Sequence, residues 1–168
     1  MTSFLKKFNN IKIEYYIFSL VFLLFSIAIF AEKINQKFET IDFKVYYTAA
    51  INLKEQNPIY EFNTTNHFVF KYSPYFAFLF IPFSYLNYPY AQLVYLFFLA
   101  CVFSWSLVIL SRDLGITSKM LLFFIVIVFL KHLQKEIYLG QINTFVFSLL
   151  IFTIHSIKRN KSLFASLN

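Results

Sequence analysis

Asp42 is the residue in this sequence best suited to acid–base chemistry. It stands in the stretch IDFKVYYTAA, after a long apolar run and shortly before Tyr46 and Tyr47. A carboxylate beside apolar surface is partly desolvated, which makes it a better base for the proton of a hydroxyl group. Tyrosines nearby could stack on a ring of a substrate, or anchor the chain at a membrane surface. The simplest alternative is that Asp42 caps the helix that follows it.

Other polar residues could hold a substrate or a departing phosphate. A leaving phosphate is stabilised by cations or backbone N–H groups. The stretch GQIN predicts a tight turn and a helix cap. Each lysine could instead reach for lipid headgroups. No Walker loop, Ser-His-Asp arrangement or metal-ligand spacing occurs in the sequence, so we expect no metal and no cofactor. The further candidates are Lys71, Tyr72, Lys131, His132, Lys135, Gln141 and Asn143.

The composition indicates a membrane protein. Hydrophobic residues make up 59% of the 168 residues and charged residues 14%, whereas a soluble domain carries about 25% charged residues. Twenty-five Phe and twelve Tyr accompany only two Gly, which is typical of lipid-facing helices with aromatic anchors. The net charge is +7. Because the basic residues lie between apolar runs, they predict membrane topology and not nucleic-acid binding.

These apolar runs predict an all-α, multi-spanning membrane protein. The first run could also be a signal peptide, but it is long and bulky, and Phe30-Ala31 is a poor cleavage site. We therefore expect a retained helix. The four predicted transmembrane helices lie at about 15–31, 90–110, 119–131 and 143–157.

The long loop at 32–89 separates the first two predicted spans. Within it, apolar residues at three-to-four spacing predict a surface helix at about 42–54, ended by Pro58. The segment at about 73–86 is apolar but contains Pro82 and is short. Segments of that length are more typical of interfacial helices than of spans.

Charge predicts the orientation. If 73–86 lies at the surface, the N-terminal lysines, the loop with Arg112 and the cluster 158–161 are all cytoplasmic. Asp42 and the GQIN turn then lie together on the other side. If 73–86 crosses instead, the bilayer separates Asp42 from that turn. The positive-inside rule favours the first arrangement.

The order and spacing of four motifs resemble those of glycosyltransferase family 87. The motifs are DFxVYYxAA (42–50), NPIY (57–60), FxYxPxFAxLFxP (70–82) and GQxN (140–143). The family comprises bacterial multi-spanning mannosyltransferases of the C-type superfamily, with a surface-lying helical loop after the first span. The resemblance covers about 41–159, and Gln56 replaces a glycine usual before the second motif. Because the family continues for several more spans, we expect this chain to be its N-terminal portion.

The resemblance implies the reaction and the site. Mannose would move from polyprenyl-phosphate-mannose to an extracytoplasmic hydroxyl with inversion, with Asp42 as the base. The lipid-linked sugar is then a substrate, and the location is the bacterial plasma (inner) membrane, with a cytoplasmic N-terminus. Membrane lipid and a downstream C-terminal half are the further partners implied. The substrate-binding candidates would be Tyr46, Tyr47, Lys71, Tyr72, Lys131, His132, Gln141 and Asn143.

Two other functional classes stay open at this point. The chain could be a non-catalytic membrane subunit, or an inactive fragment of such an enzyme. It could also be part of a transporter or channel. Transporters usually carry polar or charged groups within their spans, and the predicted spans contain almost none beyond Ser and Thr. The transporter class is therefore the less favoured of the two.

Overall fold

The computed structural model describes residues 2–34, 40–60, 69–116 and 134–165, together with residues 118, 121, 124, 127 and 128. These residues form helices and turns, with no strand among them, so the all-α class is confirmed. Residues 134–139 are also helical. The helices are α1 (Thr2–Ile34), α2 (Ile41–Lys54), α3 (Pro74–Phe78), a 3₁₀ helix (Ile81–Tyr85), α4 (Tyr88–Asp113) and α5 (Asn143–Ala165).

Among the described residues, two helices are long and apolar enough to cross a membrane. They are the segment Ile13–Ala31 of α1 and the whole of α4, which agree with the first two predicted spans. The predicted fourth span corresponds to α5, which begins with polar residues and carries Lys158 and Arg159. Most of the predicted span at 119–131 lies outside the described residues. The number of four spans therefore stays a prediction.

The chain divides into two compact units. The first unit contains residues 1–28, 99–134 and 142–168. Within it, the Phe25 and Phe103 rings lie 6.4 Å apart, and an ion pair joins Arg112 to Glu14 with an N–O distance of 2.6 Å. Because residue numbers rise along α1 as they fall along α4, these two helices run antiparallel.

In the same unit, α5 packs along α4 in the parallel direction. The Phe147 ring lies 6.0 Å from that of Phe103, and His155 pairs with Asp113 at 3.0 Å.

The second unit contains residues 29–98 and 135–141. It holds α2, α3, the 3₁₀ helix and the first turns of α4. Its centre is Phe43, which is fully buried. Several aromatic rings pack against that of Phe43, so large apolar area and ring contacts stabilise this unit. They are Tyr47, Phe80, Phe83, Tyr88 and Tyr95.

The predicted helix at 73–86 is divided into two short ones. Ser73 caps α3, its hydroxyl accepting the backbone N–H of Tyr75. An α-helix cannot continue through Pro82, which has no N–H to donate to the carbonyl of Phe78. The chain therefore changes to the 3₁₀ helix, and each piece has only five residues. Neither piece is long enough to cross a hydrocarbon layer of about 30 Å.

Candidate functional site

Asp42 lies in the first turn of α2, which begins at Ile41 and therefore agrees with the predicted helix at 42–54. The N-cap position is held by Thr40, so the interpretation of Asp42 as the N-cap is wrong. A carboxylate in the first turn is favoured by the partial positive charge of the helix N-terminus. The side chain is half-buried. Within the described part of the chain, no residue forms a hydrogen bond to it, so its oxygens are available.

Thr40 fixes the direction in which the chain enters α2. Its backbone is left-handed, with φ 30° and ψ 59°, a conformation that β-branched residues rarely adopt. The side chain is fully buried and does not cap the helix. Instead, its hydroxyl accepts a hydrogen bond from Gln92 at 2.6 Å and forms another with the Tyr88 hydroxyl at 3.1 Å. These bonds to α4 hold a strained residue two positions before the acid.

The GQIN turn packs directly on the same end of α2. Gly140 has φ +67°, and a Cβ atom added there would lie 2.9 Å from the Cβ atoms of both Phe43 and Thr40. Only glycine allows the backbones to come so close. The structure thus brings the turn against Thr40 and Phe43, the residues around Asp42. A joint role of Asp42 and Gln141 stays a prediction.

Tyr95 of α4 connects these parts. Its ring stacks on that of Phe43, with centroids 4.6 Å apart and an angle of 18° between the planes. Its hydroxyl donates to the carbonyl of Gln141 at 3.1 Å, with the carbonyl of Gly140 at 3.4 Å. One side chain therefore contacts both the first turn of α2 and the turn that ends the 134–139 helix.

The acid at position 42 shares its surroundings with several tyrosine hydroxyls. Burial raises the pKa of Tyr46, as do the hydrogen bond from its hydroxyl to that of Tyr72 at 3.5 Å and the charge of Asp42. Tyr46 is therefore a neutral hydrogen-bonding group at any physiological pH.

The remaining predicted site residues have different surroundings. Tyr47 donates its hydroxyl to the carbonyl of Leu86 at 2.8 Å, so it holds the end of the 3₁₀ helix segment. Lys71 is exposed beside Tyr72. Asn143 begins α5, which belongs to the other unit. The candidates Lys131 and His132 lie outside the described residues.

Sequence reasoning missed three residues that build this site. Each contacts a partner about 45 to 50 positions away in the chain, and no local pattern signals such a contact. Thr40 carries one weak signal, because it lies just before a predicted helix and is a residue type found at helix starts. The missed residues are Thr40, Gln92 and Tyr95.

The arrangement is suited to taking a proton from a hydroxyl group. It offers a half-buried carboxylate without a hydrogen-bonded partner in the described chain, neutral tyrosine hydroxyls and a turn held in place by a glycine. The described residues contain no group of three or more His, Cys, Asp or Glu side chains that could hold a metal ion.

Comparison with known proteins gives one match. The family model for glycosyltransferase family 87 matches residues 70–167, which is more than half of the chain. No curated protein and no solved structure matches the sequence. The matched region includes Tyr72, Tyr95 and the GQIN turn, and two of the helices in the protein are apolar enough to span a membrane. The chain belongs to glycosyltransferase family 87.

Proposed function

We propose that this chain catalyses the transfer of a hexose from a polyprenyl-phosphate donor to an extracytoplasmic hydroxyl group, with Asp42 as the base. Membership of glycosyltransferase family 87 supports sugar transfer in general. The motif resemblance points to mannose and to inversion. The observation that carries the proposal is the position of Asp42, half-buried in the first turn of α2 and flanked by residues that contact the GQIN turn.

The proposed step is a single displacement. The Asp42 carboxylate takes the proton of the acceptor hydroxyl as its oxygen attacks the anomeric carbon. The bond from that carbon to the phosphate oxygen breaks on the opposite face, and polyprenyl phosphate leaves with the electron pair. Attack and departure on opposite faces invert the configuration, and the proton stays on Asp42 until water removes it.

We propose that cationic side chains stabilise the negative charge of the departing phosphate. Lys71 and Lys135 are both exposed and belong to the same unit as Asp42. Lys131 and His132 are proposed for the same task from the sequence. Charge stabilisation of a leaving group is among the largest contributions to enzymatic rate. We propose no resident cofactor, because the lipid-linked sugar is itself a substrate.

The proposed location is the bacterial plasma (inner) membrane, with the N-terminus in the cytoplasm. The basic residues at both termini and near Arg112 support this orientation. The aromatic surface of α3 and the 3₁₀ helix supports contact with the membrane surface. Tyr75 and Tyr85 are 87% and 72% exposed, and such side chains are typical of the lipid–water boundary.

Replacing Asp42 by Asn tests the base. The change keeps the shape of the side chain and removes its basicity, so we expect transfer from radiolabelled polyprenyl-phosphate-mannose to fall about 100- to 10,000-fold. The measurement is label incorporated into the lipid and polysaccharide fractions of membranes that contain the protein. The expression level and thermal unfolding midpoint should stay close to those of the wild type.

Glu55→Gln is the matched control. It makes the same exchange of a carboxylate for an amide just after the other end of α2, on an exposed side chain. We expect its transfer activity to equal that of the wild type. Full activity of Asp42→Asn would eliminate the base assignment. A wild-type protein that is expressed and folded but transfers no label would favour a non-catalytic subunit.

A further inference from the structure

We propose that Tyr95 is a positioning residue of this site, which holds the Gly140–Gln141 turn in register with the first turn of α2. None of the four motifs contains it. The inference rests on the proposed function, because the position of the turn affects activity only if the chain transfers a sugar at this site.

The ring of Tyr95 fixes the residue next to the acid. It stacks on Phe43, which directly follows Asp42, and both rings are almost entirely buried. Phe80 and Phe83 pack on the other sides of Tyr95, with centroids at 5.7 and 5.8 Å. Buried rings in van der Waals contact on several sides have little freedom to move. The first turn of α2 is therefore held against α4.

The hydroxyl of Tyr95 fixes the turn. It donates to the carbonyl of Gln141 at 3.1 Å, and the carbonyl of Gly140 lies at 3.4 Å. A buried carbonyl that loses its donor bears a desolvation cost, so this bond restricts how the turn can move. The same side chain thus joins the turn to α2, because its ring contacts α2 and its hydroxyl bonds to the turn.

The proton of this hydroxyl is already used within the protein. It is donated to the turn, to the carbonyl of Gln141 with that of Gly140 close by. The hydroxyl is therefore not available as a proton donor to substrate. Its effect on the reaction passes through the placement of Asp42 and Gln141.

Tyr95→Phe tests the proposal, because it removes the hydroxyl and keeps the stacked ring. We expect kcat to fall about tenfold, the loss expected for one hydrogen bond, with KM for polyprenyl-phosphate-mannose changed less than about twofold. We also expect amide hydrogen exchange to become about tenfold faster at 140–146, where the bond is lost, and to stay unchanged at 41–47, where the ring contact remains, and along 99–113. Tyr90→Phe removes an exposed hydroxyl five residues earlier on the same helix and should change neither quantity.

Three results would overturn the proposal. Unchanged exchange at 140–146 would show that the hydroxyl does not hold the turn. Exchange that rises along the whole chain would assign Tyr95 to general stability. Faster exchange at the turn with an unchanged kcat would show that the position of the turn does not matter to transfer.

The same data separate this proposal from the proposed function. If Asp42→Asn keeps full activity while Tyr95→Phe loses it, the base assignment fails and the positioning role stands. If the wild-type protein transfers no sugar, the exchange pattern still decides whether Tyr95 holds the turn to α2.

Discussion

Gly140 and Gly115 end two helices in the same way but in different surroundings. In both turns the glycine N–H and the next N–H bond back to carbonyls three and five residues earlier, which is the Schellman pattern. Both glycines are left-handed, with φ +67° and +64°. An added Cβ at Gly115 would meet nothing within 4 Å, whereas at Gly140 it would lie 2.9 Å from Phe43 and Thr40.

We therefore predict different outcomes for alanine at the two glycines. Gly115→Ala should cost about 1 kcal/mol of unfolding free energy, the cost of a left-handed conformation. Gly140→Ala has that cost plus the displacement of two backbone segments, about 1–3 kcal/mol more. It should also lower transfer, because the displaced segments flank Asp42. The measurements are thermal unfolding in detergent and label transfer. Equal effects of the two substitutions would contradict the close packing at Gly140.

Gln56 takes the left-handed backbone conformation that usually requires glycine. The family resemblance predicts a glycine at this position, before the NPIY motif. The backbone of Gln56 has φ 60°, and the N–H of Asn57 bonds to the carbonyl of Asn52 at 2.8 Å. This is again a Schellman ending, here made without glycine.

The sequence predicted the acid and its neighbours on α2 but not the residues that hold them. Asp42, Tyr46 and Gln141 were all found in motifs, and they lie in one unit. Their roles stay predictions. Tyr95 was not found because its partners Phe43 and Gln141 are distant in the chain, and a tyrosine in an apolar helix looks like a membrane anchor. Whether a tyrosine of such a helix is buried in the protein or lies at its surface depends on the tertiary fold.

At the scale of elements, α4 and α5 meet through small polar side chains. Ser106 and Ser148 are fully buried and their hydroxyls lie 3.2 Å apart. Each also bonds to a carbonyl of its own helix, so no hydroxyl is left without a partner. Small residues of this kind let two helices approach closely in a membrane. Ser148 therefore has no room for a larger side chain.

Ser148→Leu should separate the two helices. We expect a loss of about 1–3 kcal/mol of unfolding free energy, because a branched side chain must displace α4. Ser156→Leu is the control on the same helix, since Ser156 is exposed and bonds only to the carbonyl of Phe152 in the described structure. It should cost less than about 0.5 kcal/mol. Thermal unfolding measures both, and a stable Ser148→Leu variant would disprove the close contact.

The elements that the sequence predicted best are those with a long local signal. The apolar run of α4 and the spaced apolar face of α2 both gave helices with nearly the predicted ends. The segment 73–86 was predicted as one helix but forms two short ones. Pro82 lacks the N–H that an α-helix would need at this position, so the α-helix ends before it. The charged residues of α5, Lys158 and Arg159, make it less apolar than α4, although the two helices pack side by side.

At the scale of the whole chain, contacts within each unit predict which positions share a side of the membrane. In one unit, Glu14 pairs with Arg112 and Asp113 pairs with His155, so the start of the apolar run of α1 lies at the same end as the end of α4. In the other unit, Gly140 packs on Phe43. Residues within each group are therefore expected to face the same compartment.

Cysteine labelling of intact cells tests the predicted topology. In a Cys101→Ser background, we expect Lys44→Cys and Gln141→Cys to react with a membrane-impermeant maleimide added outside. Ser118→Cys and Asn160→Cys should react only after the membrane is opened, because the positive-inside rule places the neighbouring basic residues in the cytoplasm. Disagreement between Lys44 and Gln141 would contradict the packing of the turn on α2, and with it the site. Agreement within each pair but reversed sides would keep the fold and the site while overturning the proposed extracytoplasmic acceptor, since Asp42 would then face the cytoplasm.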